Sequence, residues 1–469
     1  HPSDREAPVE GAIHPEPPAP MTLPDHLLLP DDDPGPDLAP RFGAAALREL
    51  WEETGVAVTV PRLPEPRERD RIRNRILDDP AALPDLLRDL GLALDLSALV
   101  YAGRWLTPPF APLRFDNRFF LLEWPRGRRD QPEIRPGELV EGEWIRPREG
   151  LARWRRAEVL AAPPILHLLR VLAEEHLSEE GVPEEGFARL HRTEEADLGP
   201  FRRIEFRPGI VLLPLRTPTL PPATHTNAYL VGAGAEAVLV DPGSPLPEEQ
   251  ERLRRALDAF RAEGRRIRGI WLTHHHPDHV GGVEAARAHL EAPVAAHPVT
   301  TEILEARGFQ VDEDLRDGET AELDGGSTIT VHHTPGHAPG HLAFEVSPHR
   351  SLLVGDLVSA LSTVVIDPPE NRMGDYLDSL RRMADLEPKT LFPAHGPVLS
   401  PGREVLRDVT QHREEREARI LAAWKEGHRT PSAIRPRAYD EIPEMLHPLA
   451  ERQIEAHLIH LREEGALTA

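Results

Sequence analysis

The sequence predicts an α/β chain built from more than one domain. Three observations carry this. At 469 residues the chain exceeds what one ordinary core accommodates. From about residue 205, short apolar runs ended by turns lead into an amphipathic helix and then a buried strand: "GIVLLPLRTP", "TNAYLVG", "EAVLVDPG", then "PEEQERLRRALDAFRAEG", then "IRGIWLT". After about residue 402 the pattern is helical to the end.

The elements justify four regions. Residues 1–40, beginning "HPSDREAPVEGAIHPEPPAP", are acidic and Pro-punctuated, and read as an extended segment without a signal-peptide apolar region. Residues 41–200 mix helix-like and strand-like stretches and close on a polar linker, "PEEGFARLHRTEEADLGP". Residues 201–402 carry the strand-rich pattern, and 403–469 the helical one. The net charge of -24 argues against a chain coated in basic surface for nucleic acid. The absence of cysteine removes disulfides and thiolate metal ligands. No apolar run approaches the roughly 20 residues of a membrane span, so the expectation is a cytoplasmic chain without a membrane partner.

The stretch "LTHHHPDHVGG", Leu272 to Gly282, concentrates the chemistry. It follows a strand predicted over Ile267–Thr273. Alternation at a strand end lets His274 and His276 share a face while His275 points away. Asp278 and His279 fall on the turn opening the next helix, "VGGVEAARAHL". Imidazole and carboxylate suit zinc or a similar ion. Matching ligand types end other apolar runs: Asp241 in "EAVLVDPG", His337 in "ITVHHTPGHAPGH", Asp356 in "SLLVGDL" and His395 in "TLFPAHGPVL". A packed sheet presents side chains to one rim in this way.

This constellation resembles the metallo-β-lactamase superfamily over about residues 205–400. The resemblance implies an α/β domain with the αββα sandwich of that family. It implies His274, His276 and His337 around one metal, Asp278, His279 and His395 around a second, and Asp356 bridging both. Two Zn2+ or similar divalent ions per chain follow. Such ions lower the pKa of water toward about 7 and polarise a substrate oxygen. Asp278 and Asp356 are then the catalytic carboxylates. Asp241 matches a residue orienting the ligand loop, with a plain turn aspartate as the equal alternative. His341 is a candidate donor to the leaving group, or a loop cap. Asn227 and Tyr229 are candidates for substrate contact, or for structural hydrogen bonds. His275, His332 and His333 are expected not to be ligands.

Absences narrow the branch. Without cysteine the subclasses that use a cysteine ligand are excluded, and an aspartate at the bridging position is unlike the cysteine-free lactamase subclass. Only residues 357–394 separate Asp356 from His395, too few for the inserted domain of the large RNA-processing branch. The tail reads as helix, connector and long amphipathic helix with Leu449, Ile454, Leu458 and Leu461 as its stripe. Together with "THTNAYLVG" and "NRMGDYLDSLRRM" it resembles the β-lactamase-like-protein-2 family. That implies a helical, winged-helix-like C-terminal domain and a zinc-dependent endoribonuclease on single-stranded RNA. The tail's Arg413, Arg416, Arg419 and Lys425 alternate with Glu414, Glu415, Glu417 and Glu426, which is no basic footprint. The alternative is a glyoxalase-II-like thioesterase, on acyl-CoA or another thioester, or a lactonase, with the N-terminal half as a binding or dimerisation module.

In that half, "AALRELWEETGV" places Glu49, Glu52 and Glu53 on one helix face, suited to magnesium against a diphosphate. Arg48 to Val56 resembles the Nudix box at nine positions. "RWLTPPFAPLRFDNRFF" and "EWIRPREGL" are similar to the acyl-CoA-diphosphatase-like branch. The pattern's upstream Glu and Gly fall on Pro40 and Pro34, so a degenerate Nudix-like α+β domain is expected, inactive on diphosphates. Asp31, Asp32 and Asp33 are the candidate substitutes for the missing carboxylate. A homodimer through this half is one further expectation.

Overall fold

The computed structural model describes residues 39–62, 66–107, 115–124, 131–135, 139–174 and 204–467. Asp31, Asp32, Asp33, Pro34 and the linker expected at 183–200 lie outside the described residues. The chain divides into two compact units, the second of which takes in everything described from residue 204 onward.

Helix α1 (Ala39–Thr54) opens the first unit. Its buried stripe of Ala44, Leu47 and Trp51 packs with Ile72 and Ile76 of α2 (Pro66–Asp78). Gly55, at φ +72, reverses the chain after the helix. The buried Arg73 guanidinium donates to the carbonyls of Glu52, Glu53 and Glu133, satisfying the helix end. Two antiparallel pairs follow, β1 (Thr59–Val60) with β2 (Ala93–Leu94) and β3 (Leu99–Leu106) with β4 (Asp116–Leu122). Helices α3 (Leu83–Asp89), α4 (Pro147–Arg155) and α5 (Pro163–Glu174) complete the α-helices described before residue 204. The mixture is the α+β composition expected.

In the second unit β5 (Ile204–Arg207), β6 (Ile210–Arg216), β7 (His225–Val231) and β8 (Glu236–Val240) pair antiparallel in succession. Helix α6 (Pro247–Ala262) crosses to β9 (Arg266–Trp271), parallel to β8. Short helices α7 (Pro277–Val280) and α8 (Val283–Leu290) lead to β10 (Val294–Ala296), and α9 (Pro298–Ala306) to β11 (Glu313–Asp314). These strands form one sheet in the order β11-β10-β9-β8-β7-β6-β5. The second sheet runs β12 (Thr320–Leu323), β13 (Ser327–His333), β14 (Leu342–Ser347), β15 (Ser351–Gly355), β16 (Thr390–Pro393), with α10 (Met373–Asp385) crossing between the last two.

The continuous apolar runs are explained by burial on both faces. Along β6, Val211, Leu213 and Leu215 pack with Leu253, Leu257 and Phe260 of α6 and Val283 of α8. Ile210 and Leu212, on the opposite face, pack with Val331, Phe344 and Leu353 of the second sheet. That sheet's outer face, Ala343, Leu352 and Val354, packs with Met373, Leu377 and Leu380 of α10. Four layers result, helix on sheet on sheet on helix, as the sequence predicts.

The chain ends in α11 (Gly402–Lys425), α12 (Pro431–Ala438) and α13 (His447–Glu463), which share a core of Ile420, Ala423, Ile434, Ala438, Ile454, Leu458 and Leu461. One expectation is corrected here. Leu449 is 37% exposed and Ala450 takes the buried position one residue on. Arg413 and Arg416 are not surface charges: both are buried, Arg413 donating to the Val364 carbonyl and Gln453, Arg416 to the Ala438 carbonyl and Glu441. Among the described residues no helix is long and apolar enough to cross a membrane.

Candidate metal centre

Asp241, His274 and His276 lie just beyond the ends of β8 and β9, His337 in the loop after β13, and Asp356 and His395 just beyond β15 and β16. The two sheets thereby deliver their strand ends to one place. The ligand atoms of His274, His276, His337 and Asp356 lie within 4.8 Å of one another, and so do those of Asp278, His279 and His395. Asp356 stands between the groups. Its Oδ2 is 3.4 Å from His337 Nε2, while its Oδ1 is 3.3 Å from His395 Nε2 and 3.6 Å from His279 Nε2. Asp278 Oδ2 lies 3.5 Å from His395 Nε2.

Glycine lets the loops meet. A Cβ on Gly243 would stand 1.8 Å from the Asp278 carbonyl oxygen, so the loop after β8 abuts the ligand turn only because no side chain intervenes. At Gly336, φ +132, a Cβ would meet the Tyr376 backbone at 2.4 Å, which fixes the approach of His337 to α10.

Hydrogen bonds set the ring tautomers. A carbonyl only accepts, so His337 Nδ1–H donates to Val365 O at 2.8 Å and His395 Nδ1–H to His225 O at 2.9 Å. Asp241 accepts the Thr273 N–H at 2.8 Å, the Thr273 hydroxyl at 2.6 Å and His279 Nδ1–H at 2.8 Å. With its proton given to Asp241, the Thr273 hydroxyl oxygen accepts from His274 Nδ1–H at 3.0 Å. Four imidazoles are therefore held by Nδ1–H with the Nε2 lone pair left for the cluster, and His276 presents Nδ1 instead. Asp241, at φ +50, orients the ligand turn from behind.

The electrostatics ask for positive charge. Burial and the neighbouring imidazoles hold His274 well below its ordinary pKa and His276 down to about 2, the neutral forms that ligate. Burial also lowers His279, but Asp356, Asp278 and Asp241 outweigh it and raise the ring well above its ordinary range. Burial works against the ionised Asp356 carboxylate, yet His395 and His279 hold it well below the carboxylate range. A divalent cation would supply that positive charge and be met by neutral imidazoles.

The donor set fits such ions on a second ground. Asp356 Oδ1 and His279 Nε2 are buried without a hydrogen-bond partner, facing each other at a separation too long for a bond. Two ligands of one tetrahedral zinc, each about 2.0–2.1 Å from it, stand roughly 3.3 Å apart. The Asp356, His337, His395 and Asp278 separations of 3.3–3.5 Å match this spacing.

The cluster forms the floor of a cavity of about 630 Å3. Its walls come from Pro218–Leu220 and Ala223 on one side, and from Ser362–Val365, Asp367–Asn371 and Arg452 of α13 on the other. Thr226, not singled out from sequence, donates to Asp278 Oδ2 at 3.3 Å. The stretch "THTNAYLVG" contains it, but the hydroxyl carries no motif of its own.

Other candidates are placed differently. His341 is fully buried: Nε2 accepts the Asp356 N–H at 3.1 Å, so Nδ1–H donates to the Thr334 hydroxyl. With both nitrogens engaged it supports the Asp356 backbone and has no proton for a leaving group. Asn227 donates to the carbonyls of Pro393 and Gly396, and Tyr229 to that of Pro393 at 2.6 Å. They brace the loop bearing His395 from outside the cavity, and the structural alternative replaces substrate contact. His275 lines the cavity without joining either ligand group, and His332 pairs with Glu345. In the first unit, both Glu52 carboxylate oxygens accept from Arg48, while Glu49 stands 3.6 Å from the same guanidinium.

Comparison with known proteins agrees with this arrangement. Residues 221–395 match the model of the metallo-beta-lactamase superfamily. Residues 7–172 match the NUDT19 Nudix domain and residues 430–467 the beta-lactamase associated winged helix domain. The chain is 31% identical over 201 residues to the lactamase-like protein aptB of Emericella nidulans, covering 43% of this chain and 60% of that protein. It is 31% identical over 215 residues to a beta-lactamase-like protein 2 homolog of Caenorhabditis elegans, covering 43% and 66%. It is 30% identical over 202 residues to the atrochrysone carboxyl ACP thioesterase of Aspergillus chevalieri, covering 43% and 61%. In each case the match spans less than two thirds of the relative's own length.

Proposed function

We propose that this chain is a hydrolase dependent on two divalent ions, with zinc the leading candidate, that cleaves a small or carrier-borne thioester or ester. The observation that carries the reading is Asp356, whose two oxygens each face a separate group of imidazoles on a cavity floor. His274, His276, His337 and Asp356 would hold one ion, and Asp278, His279, His395 and Asp356 the other. When bound, such ions supply water activated at neutral pH and a Lewis acid for the acyl oxygen. The chain's own groups do the rest. Asp278, steadied by Thr226, is the carboxylate assigned to receive the water's proton. Pro218, Leu220 and Ala223 offer an apolar wall to the acyl group, and Ser362 and Thr363 offer hydroxyls to its polar atoms. Hydrolysis places the water oxygen on the acyl carbon as the C–S or C–O bond breaks, and the leaving thiol or alcohol takes up a proton.

The cavity wall supports the first of the two substrate classes. Among the described residues Arg452 is the one arginine or lysine lining it, and that guanidinium is engaged by Asp367, the Pro368 carbonyl and Glu455. Asp367 and Glu370 add negative charge to the same wall. A polynucleotide track needs cations free to meet phosphates, and Arg413 and Arg416 of the tail are buried. The similarity to an ACP thioesterase supports the same choice. The endoribonuclease reading stays second, favoured by the winged helix match whose helix reaches the cavity. The N-terminal Nudix domain is assigned a binding or packing role.

A parallel assay tests this. The zinc-loaded chain and Asp356→Ala are given an acyl-pantetheine thioester, an ester and single-stranded RNA. Thioester or ester turnover that Asp356→Ala abolishes is expected. RNA cleavage without acyl hydrolysis would replace this reading with the second.

A further inference from the structure

The segment Val364–Pro368 crosses the cavity wall between β15 and α10, and its Val365 carbonyl is the group that holds His337 Nδ1–H. Apart from a local turn bond, Asn371 N–H to the Asp367 carbonyl, its polar ties come from the C-terminal helices. Arg413 of α11 donates to the Val364 carbonyl. Gln453 of α13 brackets Ile366, its Oε1 accepting the Ile366 N–H at 3.3 Å and its Nε2 donating to the Ile366 carbonyl at 3.0 Å. Arg413 also donates to Gln453 Oε1 at 3.2 Å, which locks the amide's orientation. Arg452 donates to Asp367 at 2.6 Å and to the Pro368 carbonyl at 2.8 Å. Gln453 and Arg413 are only 5% and 2% exposed, so these bonds run without competition from water.

We propose that Gln453 is a positioning residue for the metal centre, through which the C-terminal helical domain sets the orientation of His337. This rests on the metal-centre reading above. Two hydrogen bonds from one amide hold the N–H and C=O of Ile366, and because that N–H shares its peptide plane with the Val365 carbonyl, the carbonyl is thereby aimed at the imidazole. A carbonyl turned away leaves the ring free to rotate or to change tautomer, either of which withdraws Nε2 from the cluster. The same helices reach the bridging carboxylate's side. Arg413 lies over the Tyr376 ring at 5.2 Å, and the Tyr376 hydroxyl donates to the Leu357 carbonyl beside Asp356. The helical domain is thus part of the machinery that holds the ligands, whatever substrate it also meets. Anything bound to α13 could bias the same site.

The test uses the full chain and metal binding, not turnover alone. Gln453→Leu keeps the buried volume and removes both bonds. Gln453→Glu keeps the acceptor for Ile366 and Arg413 but loses the donor. Glu451→Gln, one residue before Arg452 and paired with Arg435 on α12, alters the same domain away from the segment. Zinc affinity by chelator competition and the visible spectrum of the cobalt(II)-loaded chain are measured for each, with Asp356→Ala as reference. Expected is about a tenfold weaker affinity and an altered cobalt spectrum for Gln453→Leu, at the low end of effects for groups behind a ligand. Gln453→Glu should be intermediate and Glu451→Gln unchanged. If Gln453→Leu does not fold, Gln453→Glu alone decides by the same two readouts. Folded variants with wild-type affinity and spectrum, while Asp356→Ala loses metal, would overturn the proposal and leave the metal centre standing. Metal binding untouched even by Asp356→Ala would overturn the metal centre itself.

Discussion

Asp241→Asn isolates one hydrogen-bonding group behind the ligands. Asp241 sits at φ +50, a conformation that asparagine adopts as readily, so the change adds no backbone strain where alanine would. What changes is acceptor capacity. The carboxylate takes three donors, the Thr273 N–H on Oδ1, and the Thr273 hydroxyl and His279 Nδ1–H on Oδ2. Asparagine has one oxygen, and its amide must occupy the other place. With the oxygen at the Oδ2 position, the amide confronts the buried Thr273 N–H and orphans it, a cost of about 1–3 kcal/mol. With the oxygen at the Oδ1 position, the Thr273 hydroxyl can turn to accept, but the amide faces His279 Nδ1–H. The imidazole must then shift its proton to Nε2, the nitrogen aimed at Asp356. The backbone N–H has no other partner, whereas the imidazole has a second tautomer, so the second arrangement prevails. We expect Asp241→Asn to weaken one of two bound ions by about 10–100-fold and leave the other near wild type. Titration with zinc against a chromophoric chelator resolves the two steps. Two ions held with unchanged affinity would show that Asp241 is only a turn residue.

Four further outcomes are expected. His276→Ala should lose metal while His275→Ala keeps it, by elemental analysis, since His275 joins neither ligand group; equal losses would refute the assignment of faces. Tyr229→Phe should leave KM unchanged and lower stability by about 1 kcal/mol in denaturant unfolding, because Asn227 still serves the Pro393 carbonyl. A chain ending at Pro401 should lose metal and small-substrate turnover together, since it strips Leu406 and Ala456 from the core beneath the second sheet; a truncated chain holding two ions would contradict this. Wild type given magnesium should not cleave CoA, ADP-ribose or nucleoside diphosphate derivatives; cleavage removed by Glu52→Gln with Glu53→Gln would show an active Nudix site.

The legible part of the centre was legible because strands advertise their ends. His274, His337, Asp356 and His395 follow the ends of buried apolar runs, and a polar residue there can face only the rim. His275 joins neither group, as alternation led one to expect, although it lines the same cavity. The groups that orient the ligands gave no such signal. Val365 and His225 act through carbonyl oxygens, which every residue possesses, so only the folded path singles them out. Asn227 and Tyr229 misled for the opposite reason. They lie close to the site along the chain, but two residues apart on β7 they share a face turned to the β16 loop, not to the cavity. The tail's arginines have a role that their charge pattern does not reveal. Arg413 and Arg416 alternate with glutamates as a solvated helix would, yet they fall on the side of α11 that packs inward, where a long stem reaches carbonyls that nothing else satisfies. Helical spacing could not distinguish Leu449 from Ala450, adjacent positions at the edge of one stripe. The family resemblance suggested a tail domain that grips substrate, whereas its hydrogen bonds run into the segment behind His337. On the proposed reading, the helical domain's first contribution is to orient His337, and any effect on substrate is exerted on a centre it has already shaped.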